Sequence, residues 1–163
     1  MKTLAAFIIG LLATPLLFAA LALSGRLPSD AVSEPPKWES SLGMRALDAS
    51  LERRSQSLKG ELSPNDPAVI AAGQKIYADD CAGCHGSAKG PSVWGSKGLY
   101  PRAPQFFQEG SDVSPREAYA AIHDGIRYSG MGAWRDLMKE EDMWKVAYAV
   151  ASISGRKPMK DRD

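Results

Sequence analysis

Two cysteines and a histidine stand close together near the middle of the chain, in the order Cys81-Ala82-Gly83-Cys84-His85. Two thiols at this spacing can each add to a vinyl group of a haem and form two thioethers, and the histidine that follows then lies under the iron as an axial ligand. The chain contains two cysteines in all, so this site uses all of its thiol chemistry. The motif predicts one covalent haem c, attached through Cys81 and Cys84, with His85 as an iron ligand.

Three other kinds of site use closely spaced cysteines. A thioredoxin-like dithiol needs a βαβ setting, whereas the residues that flank this motif have helical patterning. A structural zinc site needs four ligands, and the available set lacks the spacing of known zinc motifs: Cys81, Cys84, His85 and His123. A structural disulfide between Cys81 and Cys84 is the simplest remaining alternative.

The second axial ligand decides between electron transfer and chemistry at the iron. Met131 lies in the sequence Tyr128-Ser129-Gly130-Met131-Gly132-Ala133-Trp134, where the flanking glycines let the backbone approach a haem closely. The other downstream candidates are expected to be core, tail or ordinary helix residues: Met138, Met143, Met159 and His123. We predict Met131 as the second ligand. Histidine–methionine ligation raises the reduction potential and fills both axial positions, which favours electron transfer and leaves no site for a small-molecule substrate.

The chain begins with a strongly apolar segment. Residues Leu4 to Leu23 contain no charged side chain, and a helix of about 20 residues can cross a bilayer core of ~30 Å. A cleaved signal peptide has a shorter apolar stretch of ~7–15 residues, although Ala20-Leu21-Ala22 would allow cleavage. Lys2 favours a cytoplasmic N-terminus. Residues 1–24 are therefore predicted to be a membrane anchor or signal, with the rest of the chain on the periplasmic side of a bacterial cytoplasmic membrane.

Prolines, glycines and charges divide the remaining chain into further segments. Residues 25–65 are predicted to be a linker that contains an amphipathic helix at 40–58. Its apolar stripe consists of Met44, Leu47, Leu51 and Leu58. This helix is expected either to pack on the domain that follows or to dock on a partner subunit. Residues 66–157 are predicted to form the haem domain, and residues 158–163 a polar tail.

The predicted haem domain contains three main helices. The first has Asp66 as its N-cap and Pro67 at its first position, and it continues into the haem motif. Residues 86–113 have no clear period and are expected to wrap the haem. The capping box Ser114-Pro115-Arg116-Glu117 begins the second helix, which is expected to end at Gly125. The third begins near Glu140 and is expected to end at Gly155. No strand pattern is evident, so the fold class is all-α.

Residues 66–155 resemble the class I cytochromes c, of the small bacterial monohaem kind. The resemblance rests on Gly73, Tyr77, the C-x-x-C-H motif, the element Pro104-Gln105-Phe106, the methionine loop, and a last helix with Trp144 and Tyr148. It implies that the first and last helices cross at Gly73, with Tyr148 packed there. It also implies that the Pro104 carbonyl accepts a hydrogen bond from Nδ1 of His85, a contact that orients the ring.

The chain departs from the family pattern at two positions. Gly132 replaces the usual proline after the methionine, which should leave the ligand loop less rigid. Lys139 replaces the usual Ser or Thr cap of the last helix. Haem propionates need hydrogen-bond donors, and the candidates near the ligand loops are Arg102, Arg127, Tyr128 and Trp134.

Charge excludes one class of partner and leaves another open. The chain has no basic block and no basic–aromatic stripe, so nucleic-acid binding is not expected. From Asp66 to Gly155 there are 9 Lys/Arg and 11 Asp/Glu, a net charge of −2. This balance does not predict strong electrostatic steering of a partner.

These observations predict a class I cytochrome c domain wrapped around one haem, preceded by a transmembrane helix and a linker helix. The expected function is single-electron transfer between respiratory redox partners, as a free carrier or as a subunit of a larger complex, without enzymatic turnover. One alternative is a haem enzyme or gas sensor in which Met131 is displaced, for which Gly132 is the sequence indication. The other is a structural subunit held in an assembly by the helix at 40–58.

Overall fold

The chain divides into two compact units, residues 1–33 and residues 34–163. The computed structural model describes residues 2–58 and 66–153, without the side chains of residues 2–6 and 8. In the first unit, α1 spans Lys2–Leu23 and contains Pro15. Among the described residues, no helix is both long and apolar enough to cross a membrane, so the transmembrane part of the predicted fold finds no support here. The predicted boundaries at residues 24, 65 and 157 stay predictions.

The second unit is built from helices and loops. Six α-helices follow one another along the chain: α2 (Lys37–Gln56), α3 (Pro67–Ile76), α4 (Ala82–His85), α5 (Phe106–Glu109), α6 (Pro115–Asp124) and α7 (Glu140–Ala151). Two single π-helical turns interrupt them, at Tyr77–Cys81 and Trp94–Gly98. Across residues 2–58 and 66–153 no strand forms, apart from an isolated bridge between Ser87 and Gly90. The all-α prediction is confirmed for this part of the chain.

The predicted helix caps are present. The Asp66 carboxylate accepts a hydrogen bond from the Ala68 amide at 2.8 Å, and Pro67 begins α3. Ser114 and Glu117 form the reciprocal capping box that begins α6. That helix ends at Gly125, whose φ of +68° belongs to the left-handed region, a conformation that glycine adopts at little cost.

Three helix limits differ from the sequence-based prediction. Helix α2 ends at Gln56, before the predicted end at residue 58. Helix α2 begins at Lys37 rather than at residue 40, directly after Pro36 and without a side-chain cap, so no Ser, Thr or Asp marked its start. Helix α7 ends at Ala151, short of the predicted stop at Gly155. The Ser152 hydroxyl bonds to the Ala149 carbonyl, and Ile153 accepts a hydrogen bond from the Ser111 amide. These contacts turn the chain away from the helix axis. Gly155, Met159 and the predicted polar tail lie outside the described residues.

The first and last helices of the haem domain cross at Gly73, as the resemblance implied. A Cβ atom on this glycine would overlap the backbone carbonyl of Lys145 and would lie 3.0 Å from Cβ of Ala149. The close approach therefore requires a residue without a side chain. Tyr148 is buried in the same core, but the atoms nearest to Gly73 belong to Lys145 and Ala149, so the Gly73–Tyr148 contact stays a prediction.

Helix α2 packs on the haem domain through α6. Leu51 and Ser55 are its buried residues. The Arg116 guanidinium on α6 donates to the Leu58 carbonyl at 2.6 Å and to the Ser55 carbonyl at 3.3 Å. These bonds join carbonyl groups at the end of α2 and just beyond it to α6. Of the two arrangements expected for this segment, the structure therefore has the one in which it packs on its own chain.

Candidate functional site

The C-x-x-C-H motif lies where α3 passes into α4. Helix α3 continues as the π-helical turn Tyr77–Cys81, and α4 then holds Cys84 and His85. The Tyr77 hydroxyl donates to the carbonyl oxygens of His85, at 3.1 Å, and Gly86, at 3.0 Å. Because Tyr77 is buried in the core, these bonds fix the end of the motif to the hydrophobic cluster that α7 builds.

The two thiols are free and partly buried, so the disulfide alternative is not present in the structure. Burial, together with the negative charges of Asp80 and Cys84, raises the pKa of the Cys81 thiol to about 12. Such a site favours a neutral sulfur over the thiolate that zinc binding and dithiol exchange require. Within the described residues, no three side chains of the His, Cys, Asp or Glu type gather into a metal site. A neutral thioether sulfur suits these surroundings.

The His85 ring is held on two sides. Its Nδ1 atom lies 2.9 Å from the Pro104 carbonyl oxygen, and its plane stacks on Phe106 with centroids 5.0 Å apart and 16° between the planes. Burial lowers the pKa of the imidazole, and the Pro104 bond opposes that effect. A neutral ring that donates from Nδ1 keeps the Nε2 lone pair available for a metal. The predicted bond between His85 and Pro104 is thus present.

Gln105 ties the Pro104 segment to the haem motif. Its side chain is 4% exposed. Nε2 donates to the Cys84 carbonyl at 2.9 Å and to the Ala103 carbonyl at 2.8 Å, and Oε1 accepts from the Ser92 amide at 2.7 Å. A buried amide with all of these bonds made is a strong local restraint. Sequence reasoning missed Gln105, because a single glutamine has no pattern that reveals its partners.

A second contact closes the loop over the motif. Gly95 is buried, and a Cβ atom there would overlap the backbone carbonyl of Cys84. The Ser92 hydroxyl donates to the Gly83 carbonyl and accepts from the Gly95 amide at 3.0 Å. The π-helical turn Trp94–Gly98 therefore lies directly against Cys84, the second attachment residue.

The loop that contains Met131 folds back onto the end of α6. The Met131 carbonyl accepts a hydrogen bond from the Ile126 amide at 2.9 Å, and the Trp134 amide donates to the Ile122 carbonyl at 3.0 Å. The Ser129 hydroxyl accepts from the Met131 amide at 3.1 Å. Met131 is partly buried and packs on the same hydrophobic cluster as Cys81 and Phe106. The structure thus brings both ligand segments to one apolar core.

Comparisons with known proteins agree with this arrangement. Residues 68–148 match the model of the family described as cytochrome C oxidase, cbb3-type, subunit III. A curated relative, the cbb3-type cytochrome c oxidase subunit FixPc of Rhizobium leguminosarum bv. viciae, is 31% identical over 94 residues. The match covers 57% of this chain and 31% of that relative, so the chain spans about a third of the relative's length. The chain is a monohaem class I c-type cytochrome.

Two solved structures are similar to this cytochrome. One is the Kuenenia stuttgartiensis reducing HAO-like protein complex Kustc0457/Kustc0458, with 22% identity and a TM-score of 0.50; the match covers 58% of this chain and 47% of that one. This likeness supports the fold. The other is cytochrome cL from Methylophaga aminisulfidivorans MPT, with 22% identity, a TM-score of 0.43 and coverage of 58% and 59%.

The residues present fit a covalent haem c, attached through Cys81 and Cys84. Two free thiols, an imidazole with its Nδ1 already bonded, and a methionine on the same apolar core form a suitable donor set. Large apolar side chains on the surrounding loops are exposed, among them Val93 at 77% and Trp94 at 62%. A flat apolar group bound between the loops would cover surface of this kind. His85 and Met131 as iron ligands stay predictions.

The other candidate residues of the cytochrome have differing surroundings. Met143 is buried in the hydrophobic core on α7, as expected for a core residue. Met138 and Trp134 line an open cleft of about 380 Å³ beside Ile76 and Asp80. His123 stacks on Tyr119 and has Nδ1 2.8 Å from an Asp124 oxygen.

The proposed propionate donors also differ in their surroundings. Arg102 is 3.6 Å from Glu34 and bonds to the Ser96 and Lys97 carbonyls. Tyr128 is 90% exposed and has a φ of +60°. Arg127 is exposed, and Trp134 is partly buried on the core. The role of each as a propionate donor stays a prediction.

Proposed function

We propose that this cytochrome passes single electrons between two protein partners of a respiratory chain, with His85 and Met131 as the iron ligands. The observation that carries the proposal is the closed methionine loop, which packs Met131 on the same core as the attachment cysteine Cys81. The haem supplies the one-electron redox centre. One electron enters from a reduced donor protein and leaves to an oxidised acceptor protein, and no bond of either partner forms or breaks.

The protein's own residues make this step possible by holding the ligands still. His85 is fixed by Pro104 and Phe106, and Met131 by the bonds of its loop to Ile126 and Ser129. A haem held by both side chains would need little rearrangement of its surroundings on electron transfer, and methionine ligation would raise its reduction potential.

The proposed location is the outer side of a bacterial cytoplasmic membrane. The uncharged run from Leu4 to Leu23, preceded by Lys2, supports this location from sequence. The relatives are named as oxidase subunits, which supports membership in a larger complex. Membrane attachment is tested by fractionating cells and by the intact mass of the mature protein, which reports any cleavage near Ala22.

A second candidate function follows from the space beside Gly132. A Cβ atom on this exposed residue would meet nothing within 4 Å, so the space on that side of Gly132 is open. A loop that opens would free the iron for a small molecule, as in a haem enzyme or gas sensor.

Optical spectra of the purified holoprotein distinguish the two functions. For an electron carrier, we expect a low-spin spectrum with the weak methionine-to-ferric-iron band and no response of the reduced protein to carbon monoxide. Ready carbon monoxide binding by the wild-type protein would contradict the carrier proposal and favour the second function.

A further inference from the structure

Helix α2 lies outside the region matched by the family model, residues 68–148, yet it reaches the base of the methionine loop. The Arg54 Nη1 atom donates to the Gly125 carbonyl at 3.2 Å and lies 3.5 Å from Oδ2 of Asp124. Its side chain is 27% exposed, and its Nε atom is buried without a partner among the described residues. A guanidinium with so little water around it depends on the few acceptors it has.

The contact at Gly125 matters because this residue packs against the backbone of the methionine loop. It has a φ of +68°, and a Cβ atom there would lie 2.8 Å from backbone atoms of Met131, Gly132 and Ala133. The segment of the methionine loop from Met131 to Ala133 therefore passes directly over Gly125. A shift of this peptide would displace the backbone at Met131 and directly after it, because closely packed atoms transmit displacement.

The far end of the loop is tied to the same carboxylate. The Arg135 Nη1 atom lies 3.5 Å from Oδ1 of Asp124, while Arg54 approaches Oδ2. Asp124 thus stands between two guanidinium groups, one on α2 and one directly after the loop. Residues 125 to 135, which include Met131, are held at both ends by this set of three charged residues.

The backbone of α2 is itself held firmly enough for this role. Leu51 and Ser55 are buried, and Arg116 on α6 bonds to the Ser55 and Leu58 carbonyls. The position of Arg54 is therefore set by packing and hydrogen bonds on both sides of it. An external restraint matters here because Gly132 is exposed and a Cβ atom on it would meet nothing within 4 Å, so this glycine adds little rigidity to the loop.

We infer that Arg54 is a positioning residue for Met131: through Gly125 and Asp124 it holds the methionine loop closed, and α2 thereby stabilises the axial ligand. This inference rests on the proposed function, in which Met131 binds the iron. It gives the segment before the haem domain a part in ligand binding that the matched region alone does not contain.

The test compares Arg54→Gln with Arg53→Gln in the full-length holoprotein. Arg53 is the exposed neighbour on the same helix, so its substitution removes the same charge without touching the loop. The readouts are the rate of carbon monoxide binding to the reduced protein and the intensity of the methionine-to-ferric-iron band. We expect Arg54→Gln to speed binding roughly fivefold, as the loss of one partly exposed ionic hydrogen bond implies, and to weaken the band. Arg53→Gln should match the wild type.

A second variant, Asp124→Asn, keeps the inference testable if Arg54→Gln folds poorly. It keeps the shape of the side chain and removes the charge that both arginines face, so we expect it to change both readouts in the same direction. Equal rates for Arg54→Gln, Asp124→Asn and the wild type would overturn the inference while leaving the carrier function intact. If the wild-type protein itself binds carbon monoxide rapidly, the proposed function fails first.

Discussion

The Nδ1 atom of His85 lies 2.9 Å from the carbonyl oxygen of Pro104, and the residue directly after that proline is bonded to the haem motif. The hydrogen bond makes the imidazole a more basic ligand and fixes its plane. Its geometry depends on where the Pro104 carbonyl points, and Gln105 restrains that segment through Cys84, Ala103 and Ser92.

Replacing Gln105 with methionine should therefore raise the reduction potential. The substitution keeps the volume and removes three hydrogen bonds, so the Pro104 carbonyl gains freedom and the imidazole donates less charge to the iron. Redox titration measures the change. Gln108→Met is the matched control, since Gln108 is exposed and bonds to the Ser87 carbonyl at 3.0 Å. A potential that shifts equally in both variants would show that Gln105 has no special link to His85.

Removing the Met131 thioether should open the iron and lower the potential. With Met131→Ala, we expect loss of the methionine-to-ferric-iron band, rapid carbon monoxide binding by the reduced protein, and a lower potential, because methionine ligation raises it. Met138→Ala is the control: Met138 lines the open cleft beside α7, and its loss should leave the spectrum unchanged. Persistence of the band in Met131→Ala would show that another residue is the ligand.

The helix crossing should make Gly73 intolerant of any side chain. Gly73→Ala places a Cβ atom into the Lys145 carbonyl, which the packed helices can relieve only by moving apart. We expect a loss of about 1–3 kcal/mol or more in the free energy of unfolding. Gly43 is an exposed residue of α2, and a Cβ atom there would meet nothing within 4 Å. Gly43→Ala should therefore raise the free energy of unfolding by about 0.5–1 kcal/mol. Chemical denaturation of the holoproteins checks both, and similar effects of the two substitutions would contradict the close crossing.

The charge of Asp48 should lower the free energy of unfolding at neutral pH, and this single contribution should be absent at acid pH. Burial, followed by the charges of Asp112 and Glu117, raises its pKa above the ordinary 3.8. The unfolded chain therefore loses this proton at a lower pH than the folded one, and the cost to the folded state is complete above the folded pKa.

Asp48→Asn removes that cost, and its benefit should disappear as the pH falls below 3.8. Because the group is largely exposed, we expect a rise in melting temperature of roughly one or two degrees at pH 7. Thermal unfolding at several pH values measures it. A constant difference between variant and wild type at every pH would rule out a charge effect.

The loops around the site carry charge of one sign. Residues 86–105 and 125–135 contain Lys89, Lys97, Arg102, Arg127 and Arg135 and no acidic residue, although the domain as a whole has a net charge of −2. Arg102 lies 3.6 Å from Glu34 and Arg135 lies 3.5 Å from Asp124, but the loops still carry an excess of positive charge, which attracts an acidic partner.

Rates with small charged oxidants test this surface. Oxidation of the reduced protein by anionic ferricyanide should slow as salt rises from about 0.01 M to about 1 M, because the screening length falls from about 30 Å to about 3 Å. Oxidation by a cationic cobalt complex should not slow. Lys97→Gln should weaken the salt effect, whereas Lys75→Gln on α3 should not. Equal salt responses for both oxidants would argue against a positive docking surface.

Local signals in the sequence identified much of the haem domain. Asp66, Ser114 and Gly125 act within one helical turn of themselves, so their side chains reveal helix limits directly. The bond from His85 to Pro104 followed from family resemblance. Two groups of contacts gave no such signal. Gln105 reaches Cys84 across 21 positions, and Arg54 reaches Gly125 across 71. Partners of this kind are decided by packing in three dimensions, which neither periodicity nor spacing encodes.

The closeness of Gly95 to Cys84 limits the order in which the protein can be assembled. In the folded chain Gly95 lies against the Cys84 carbonyl, and Cys81 is partly buried with a thiol that resists ionisation. An attachment enzyme needs both sulfurs exposed and reactive, so it must act while residues 86–105 are still open. The covalent bonds therefore come first and the tertiary structure second. For the cell, the chain must therefore reach the attachment enzyme before it folds.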